Sequence, residues 1–238
     1  MLASAQAPGG PRPQPAAGTG GGQASAASRP GRRAEVAPAM VRILATTGEA
    51  GRPAPPKAGQ PSAGRGLGFL VDERGYVLTH SDVIRDGKGL EAVLADGRTF
   101  TVKQVWRDPL AGVAVLRIDG RGLPALPLGD SNALHVGEAA AVVGWPAASA
   151  SPPVSATIRA TGAATGGNLA IDAPIQPENL GGPLINARGQ VVGIASADSH
   201  FMDGSSRGFA VPIDRAKSVL REAQASAAPA RPTFTTGR

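Results

Sequence analysis

Cysteine is absent from the 238 residues, which excludes a disulfide framework and any thiolate metal site, and leaves the redox state of the compartment unread. Aromatic residues are scarce, with one Tyr, two Trp and five Phe. A core therefore has to be assembled from Val, Ile, Leu and Ala, which suits small β-barrels better than large aromatic cavities. No apolar run reaches the ~20 residues that a membrane-crossing helix needs. Bulky apolar side chains are nearly missing from residues 1–37, which are dominated by Ala, Gly, Pro, Ser, Gln and Arg. Such a segment buries too little to offset the entropy of ordering and is expected to be disordered. Residues 225–238 share the bias and the expectation. The start "MLASAQAPGG" reads in two ways: as the small-residue end of a secretory signal without its basic and apolar regions, or as ordinary Ala-rich disorder.

Positive charge is lacking in the middle of the chain. Residues 66–214 carry eleven Lys/Arg against fifteen Asp/Glu, while residues 1–65 carry eight against two and residues 215–238 five against one. The overall net charge of +6 thus belongs to the flanks. No specific nucleic-acid site is expected, and the basic arms are expected to make at most weak, salt-sensitive contact with anionic surfaces.

What is present between the arms reads as strands. "GFLVDERGYVLTH" is two apolar runs around a turn at Glu73-Arg74-Gly75, and "LEAVLADGRTFTVKQVW" is two β-type runs joined by Asp96-Gly97, a two-residue hairpin signal. "GVAVLRID", "HVGEAAAVVGWP", "VSATIRATGAA", "NLAIDAP", "QVVGIASAD" and "RGFAVPID" follow, each short and bounded by Gly, Pro, Asn or Asp. This spacing argues for barrels or sandwiches rather than βαβ units. Only "PIDRAKSVLREAQ" is helical in period, with Ile213, Ala216, Val219 and Leu220 on one face.

In order along the chain, "GLGFLVDERGYVLTHSDVI", "DPLAGVAVLRID", "LPALPLGDSNALHVGEAAAVVGWP", "IDAPIQPENLGGPLINARGQVVGIAS" and "RGFAVPID" resemble the successive blocks of the HtrA (Deg) family of trypsin-like serine proteases. The resemblance implies an all-β, trypsin/chymotrypsin-like fold of two packed six-stranded antiparallel barrels with a short C-terminal helix. It divides the chain into a first barrel at 38–120 and a second barrel with the terminal helix at 121–224. A peptide-binding PDZ module, which follows that helix in the family, is not expected here.

The family's chemistry uses a serine nucleophile, a histidine base and a carboxylate that orients the histidine. Matched residue by residue, the histidine position is Asp82, the carboxylate position Gly112 and the nucleophile position Leu180. The oxyanion loop matches Glu178, Asn179 and Leu180, with Glu178 where the family has a glycine whose backbone turns its N–H toward the developing charge. These replacements lead to the expectation of a pseudoenzyme without peptidase activity. Leu180 is expected either to plug the cleft or to offer an apolar contact to bound peptide. Asp82 is expected to sit in the first turn of a short helix, where a carboxylate complements unpaired N–H groups.

Binding is expected to use Pro174, Ile175, Gln176 and the strand Ala195, Ser196 and Ala197, where an unfolded or extended peptide would add as a strand; a related protease is the other partner expected. His80 is expected at a strand end facing solvent, or as a displaced base, and His135 at the start of a second-barrel strand, as an edge or turn residue. His80 and His200, the latter with Asp198 and Asp203 nearby, are weak candidates for a divalent cation, since no ligand spacing supports them. No cofactor is expected. The alternatives are a metal-binding or scaffolding role, and residual serine endopeptidase activity through an unrecognised nucleophile, for instance a serine of "AASASPPVSA". The family's envelope residence suggests a periplasmic or secreted location.

Overall fold

The structure is a computed structural model that describes residues 35–46, 65–85, 88–146, 153–196 and 208–226. The two arms expected to be disordered lie almost wholly outside them. Six strands, β1 (Met40–Thr46), β2 (Arg65–Leu70), β3 (Tyr76–His80), β4 (Lys88–Leu94), β5 (Thr99–Asp108) and β6 (Val113–Ile118), close into one antiparallel barrel in the order β1-β2-β3-β6-β5-β4. Six more, β7 (Ala139–Val142), β8 (Val154–Ala160), β9 (Leu169–Ile171), β10 (Pro183–Asn186), β11 (Val191–Ser196) and β12 (Gly208–Pro212), close a second in the order β10-β11-β12-β9-β8-β7. Closure removes the unpaired edges that short strands of this kind would otherwise present. One helix, α1 (Ile213–Ser226), follows.

Turn chemistry sets the registers. The β2–β3 hairpin turns at Gly75, whose φ of +94° only glycine adopts readily, and it pairs Leu70 with Val77 and Phe69 with Leu78. The β4–β5 connection is longer than the two-residue hairpin expected from Asp96-Gly97. Leu94 N–H donates to the Arg98 carbonyl at 2.8 Å and Gly97 sits at φ +90°, the geometry of a three-residue loop ending in a left-handed residue. His135 is a turn residue, as expected, but it lies ahead of β7 rather than at its first position. Gly137, at φ +91°, and the Glu138 N–H bonded to the His135 carbonyl form a turn that delays the strand to Ala139.

The cores are aliphatic, as the scarcity of aromatics requires. Met40, Ile43, Phe69, Leu78 and Leu116 fill the first barrel, and Ile158, Leu169, Ile171, Leu184 and Val192 fill the second. All four residues of the expected helical stripe are buried, together with Ala223, and they join the first barrel's cluster. The helix thus straps the end of the second barrel across the first.

Asp214 holds the start of that strap. Its carboxylate accepts from the Ser131 N–H (2.6 Å) and hydroxyl (2.7 Å) and from Lys217 Nζ (2.7 Å), while Lys217 also donates to the Gly129 carbonyl. Partial burial pushes this carboxyl up, but the hydrogen bonds from Lys217 and Ser131 and the Lys217 charge outweigh it and hold the group well below the usual carboxylate range. A depressed folded value means that the stabilisation is complete above the unfolded value of ~3.9 and is lost as pH falls from there toward the folded value. Asp214→Asn is therefore expected to lower stability by about 1–2 kcal/mol at pH 7, allowing for partial exposure. In urea denaturation the gap between variant and natural chain should close progressively below about pH 4.

Candidate functional site

The loop from Pro177 to Gly182 sits where the barrels meet. Pro177–Asn179 form a 3-10 turn in which the Asn179 N–H donates to the Gln176 carbonyl (2.8 Å) and the Leu180 N–H to the Pro177 carbonyl (3.3 Å). These N–H groups point into the turn rather than out toward a shared anion site. Glu178 needs no left-handed backbone here, because no non-glycine residue among those described has positive φ. Beyond the turn the chain is fixed on both sides. The Leu180 carbonyl accepts from the Leu67 N–H of β2 (2.8 Å), and the Gly181 N–H donates to the Ala195 carbonyl of β11 (2.9 Å). Gly181 is at φ +80°, and a Cβ on it would run into the Leu67 carbonyl and the Thr79 hydroxyl, so no other residue fits. Of the two roles expected for Leu180, the structure favours the plug: the side chain is buried and packs into the larger core cluster.

Asp82 lies in the first turn of the 3-10 helix Ser81–Ile84, the structural place expected for it. The residue that caps this turn is His80, whose Nδ1 accepts from the Asp82 N–H at 3.2 Å. His80 does not face solvent as expected. It is 3 % exposed, its Nε2 lies 3.2 Å from Ser196 Oγ, and the Asp82 carboxylate stands 3.7 Å from its Nδ1. The reason is Gly112. A Cβ built there would meet His80 Nε2 at 3.2 Å and Val211 Cγ2 at 3.0 Å, so the imidazole occupies the room that a side chain at 112 would fill. The serine brought to a histidine is thus Ser196. Of the serines in "AASASPPVSA", Ser149 and Ser151 lie outside the described residues.

Of the expected peptide contacts, Pro174 and Gln176 are exposed, Ile175 is half-buried, and Ala195 and Ser196 are buried on β11. Ala195 uses its own N–H and C=O on Gly182 and Gly181. Ala197 and His200, with Asp198 and Asp203, lie outside the described residues. Among the described residues no three His, Asp or Glu converge as metal ligands, and both His80 ring nitrogens face protein partners.

One cavity opens at the loop and another beside His80. The first, about 550 Å³, opens between β1, β2 and the segment after β7, lined by Arg42, Leu44, Leu67, Val93, Trp145 and Glu178. The Arg42 guanidinium lies 4.5 Å over the Trp145 ring, a cation–π arrangement. The other, about 280 Å³, is polar, with His80, Asp82, Gly112, Asn168 and Arg215 on its walls. Arg215 is held there by the Gly167 carbonyl (2.8 Å) and Asn168 Oδ1 (3.1 Å). Sequence reasoning missed the first cavity apart from Glu178. Its one signal was Trp145, one of only two tryptophans in the chain.

Residues 66–194 match the model of the trypsin-like peptidase domain. A putative serine protease, HhoA, of Synechocystis is 38% identical over 178 residues, covering 70% of this chain and 44% of the relative. A probable periplasmic serine endoprotease, DegP-like, of Chlamydia muridarum is 35% identical, covering 69% and 35%. The chain therefore spans less than half the length of these curated relatives. The crystal structure of the serine endoprotease from Yersinia pestis superimposes with a TM-score of 0.64 at 28% identity, over 80% of this chain and 64% of that one. The HtrA-type protease AlgW with tripeptide gives 0.66 at 28%, over 83% and 63%. These findings overturn the expectation of a pseudoenzyme, which rested on the replaced triad and oxyanion-loop positions: these relatives are named as serine proteases and endoproteases, and none of them is marked as inactive.

The packing of His80 into the space beside Gly112 gives a double-mutant test. Gly112→Asp alone is expected to cost roughly 1–3 kcal/mol through overpacking and backbone strain. In a His80→Asn background, where a smaller side chain still offers an acceptor to the Asp82 N–H, that cost should fall by about 1 kcal/mol. Equal costs in both backgrounds, measured by urea denaturation, would show that the two positions do not share the space.

Proposed function

The chain belongs to the HtrA-like family of trypsin-fold peptidases, and from that premise we propose that it binds extended polypeptide in the cleft between its barrels. The observation that carries this reading is the loop 177–181, which keeps its glycine-dependent path and its bonds to both barrels although the residue at 180 is leucine. A peptide held by backbone pairing beside β11 relies on that frame and on the exposed run Pro174 to Gln176. The similar structures of the Yersinia pestis serine endoprotease and of the HtrA-type protease AlgW with tripeptide support it. The proposed location is periplasmic or secreted, following the names of the Chlamydia and Pseudomonas relatives. Fluorescence anisotropy of a labelled, unfolded casein peptide should show saturable binding. Ile175→Asp should weaken it about tenfold, worth ~1.4 kcal/mol, compared at a temperature where circular dichroism shows both proteins folded, since Ile175 also packs against the second barrel's core. No saturable binding, or binding indifferent to Ile175→Asp, would remove the reading.

A second reading, serine peptidase activity, rests on the approach of Ser196 to His80 and Asp82. With Nδ1 accepting the Asp82 N–H, the neutral ring carries its proton on Nε2 and donates to Ser196 Oγ. Catalysis requires the other tautomer, with Nδ1–H turned to the Asp82 carboxylate and Nε2 accepting the serine proton as Oγ attacks a carbonyl. Both residues are buried, so the seam must also open to substrate. A fluorophosphonate probe tests this directly: labelling that maps to Ser196, and casein hydrolysis abolished by Ser196→Ala, would support it. A protein that the probe leaves unlabelled ends it.

A further inference from the structure

Asn179 is a buried polar residue whose side chain nothing in the fold accounts for. It is 8 % exposed, and among the described residues its side-chain amide has no hydrogen-bond partner. No fully enclosed side-chain nitrogen or oxygen among those residues lacks a partner, so the amide tip of this otherwise buried residue reaches the surface. A polar group held this deep without a protein partner opposes folding. Leucine, of nearly the same size, is accepted at the very next position, where it packs into the core.

The surroundings leave the amide a distinct place. A Cβ on Gly144 would stand 2.7 Å from Asn179 Oδ1, so the amide lies in space that a side chain at 144 would take. This contact joins the two chain segments whose next residues, Trp145 and Glu178, line the larger cavity. The loop has no main-chain donor to spare beside it. The N–H groups of Asn179, Leu180, Gly181 and Gly182 donate to the carbonyls of Gln176, Pro177, Ala195 and Asn179. Along these residues an incoming carbonyl can be met only by Asn179 Nδ2, since leucine and glycine carry no side-chain donor. A carboxamide holds a donor and an acceptor in one plane, the same pair that a peptide group carries.

We propose that Asn179 grips the main chain of a bound polypeptide, its amide exchanging hydrogen bonds with one peptide group. This rests on the reading that extended polypeptide occupies the cleft. The contact ignores side chains, so it suits unfolded segments of any sequence, and it makes Asn179 a binding residue rather than a structural one.

The test uses the full chain and a labelled, unfolded casein peptide, together with versions in which one amide at a time is replaced by an ester. The ester keeps the side chains and the length but lacks the N–H. At one position the ester should bind the natural chain about fivefold more weakly than the amide, the size of about one neutral hydrogen bond. In Asn179→Leu that difference should vanish, while the melting temperature holds or rises. Gly144→Ala keeps the amide but drives it from its place and should shrink the same difference; it decides the question if Asn179→Leu does not fold. If the peptide binds but no ester position depends on Asn179, the assignment is overturned and the cleft reading survives. If the unmodified peptide does not bind, both fall together.

Discussion

Two backbone hydrogen bonds hold the cleft: Leu67 N–H to the Leu180 carbonyl, and Gly181 N–H to the Ala195 carbonyl. One ties the loop to the first barrel and the other ties the following residue to the second. Because main-chain groups make both, they depend on the path of the loop and on a glycine at 181, not on which side chain stands at 180. That is why a buried leucine leaves the frame in place. The same bonds make the loop the common wall of everything beside it, since the apolar cavity, the β11 strand and the Thr79 hydroxyl bonded to Leu67 all meet its few residues.

A second fixed point lies behind the cleft. The Asp214 carboxylate gathers Ser131, the chain entering the second barrel, and Lys217, one turn into α1. The helix that closes the second barrel therefore starts at a polar clasp and continues as an apolar stripe against the first barrel. The barrels are joined at the front through main-chain bonds and at the back through a charged cluster, two attachments that respond differently to acid and to apolar substitution.

The fold was legible because each strand carries its own local evidence: short apolar runs, glycine at turns such as Gly75, and a helix face whose four named residues are all buried. The hairpin at Asp96-Gly97 was misjudged by one residue, since the signal for a two-residue turn and for a three-residue loop with a left-handed last position is nearly the same. His80 was misplaced for a deeper reason. Its burial follows from a missing side chain 32 positions away in sequence, and no periodicity within β3 records that Gly112 leaves room for it. The Trp145 cavity was invisible for a similar reason, being formed by one or two residues from each of several strands. A change of role drawn from position matching alone also overreached, because relatives bearing the names of active enzymes share most of the same scaffold.

The neighbourhood of Gly112 also constrains substitution. The imidazole sits at its present depth because nothing projects from 112; a carboxylate there would claim the same volume. With His80 turned inward beside Ser196 and capping the next turn, a side chain at 112 would disturb three partners at once. The two positions are epistatic: what either tolerates is set by what stands at the other.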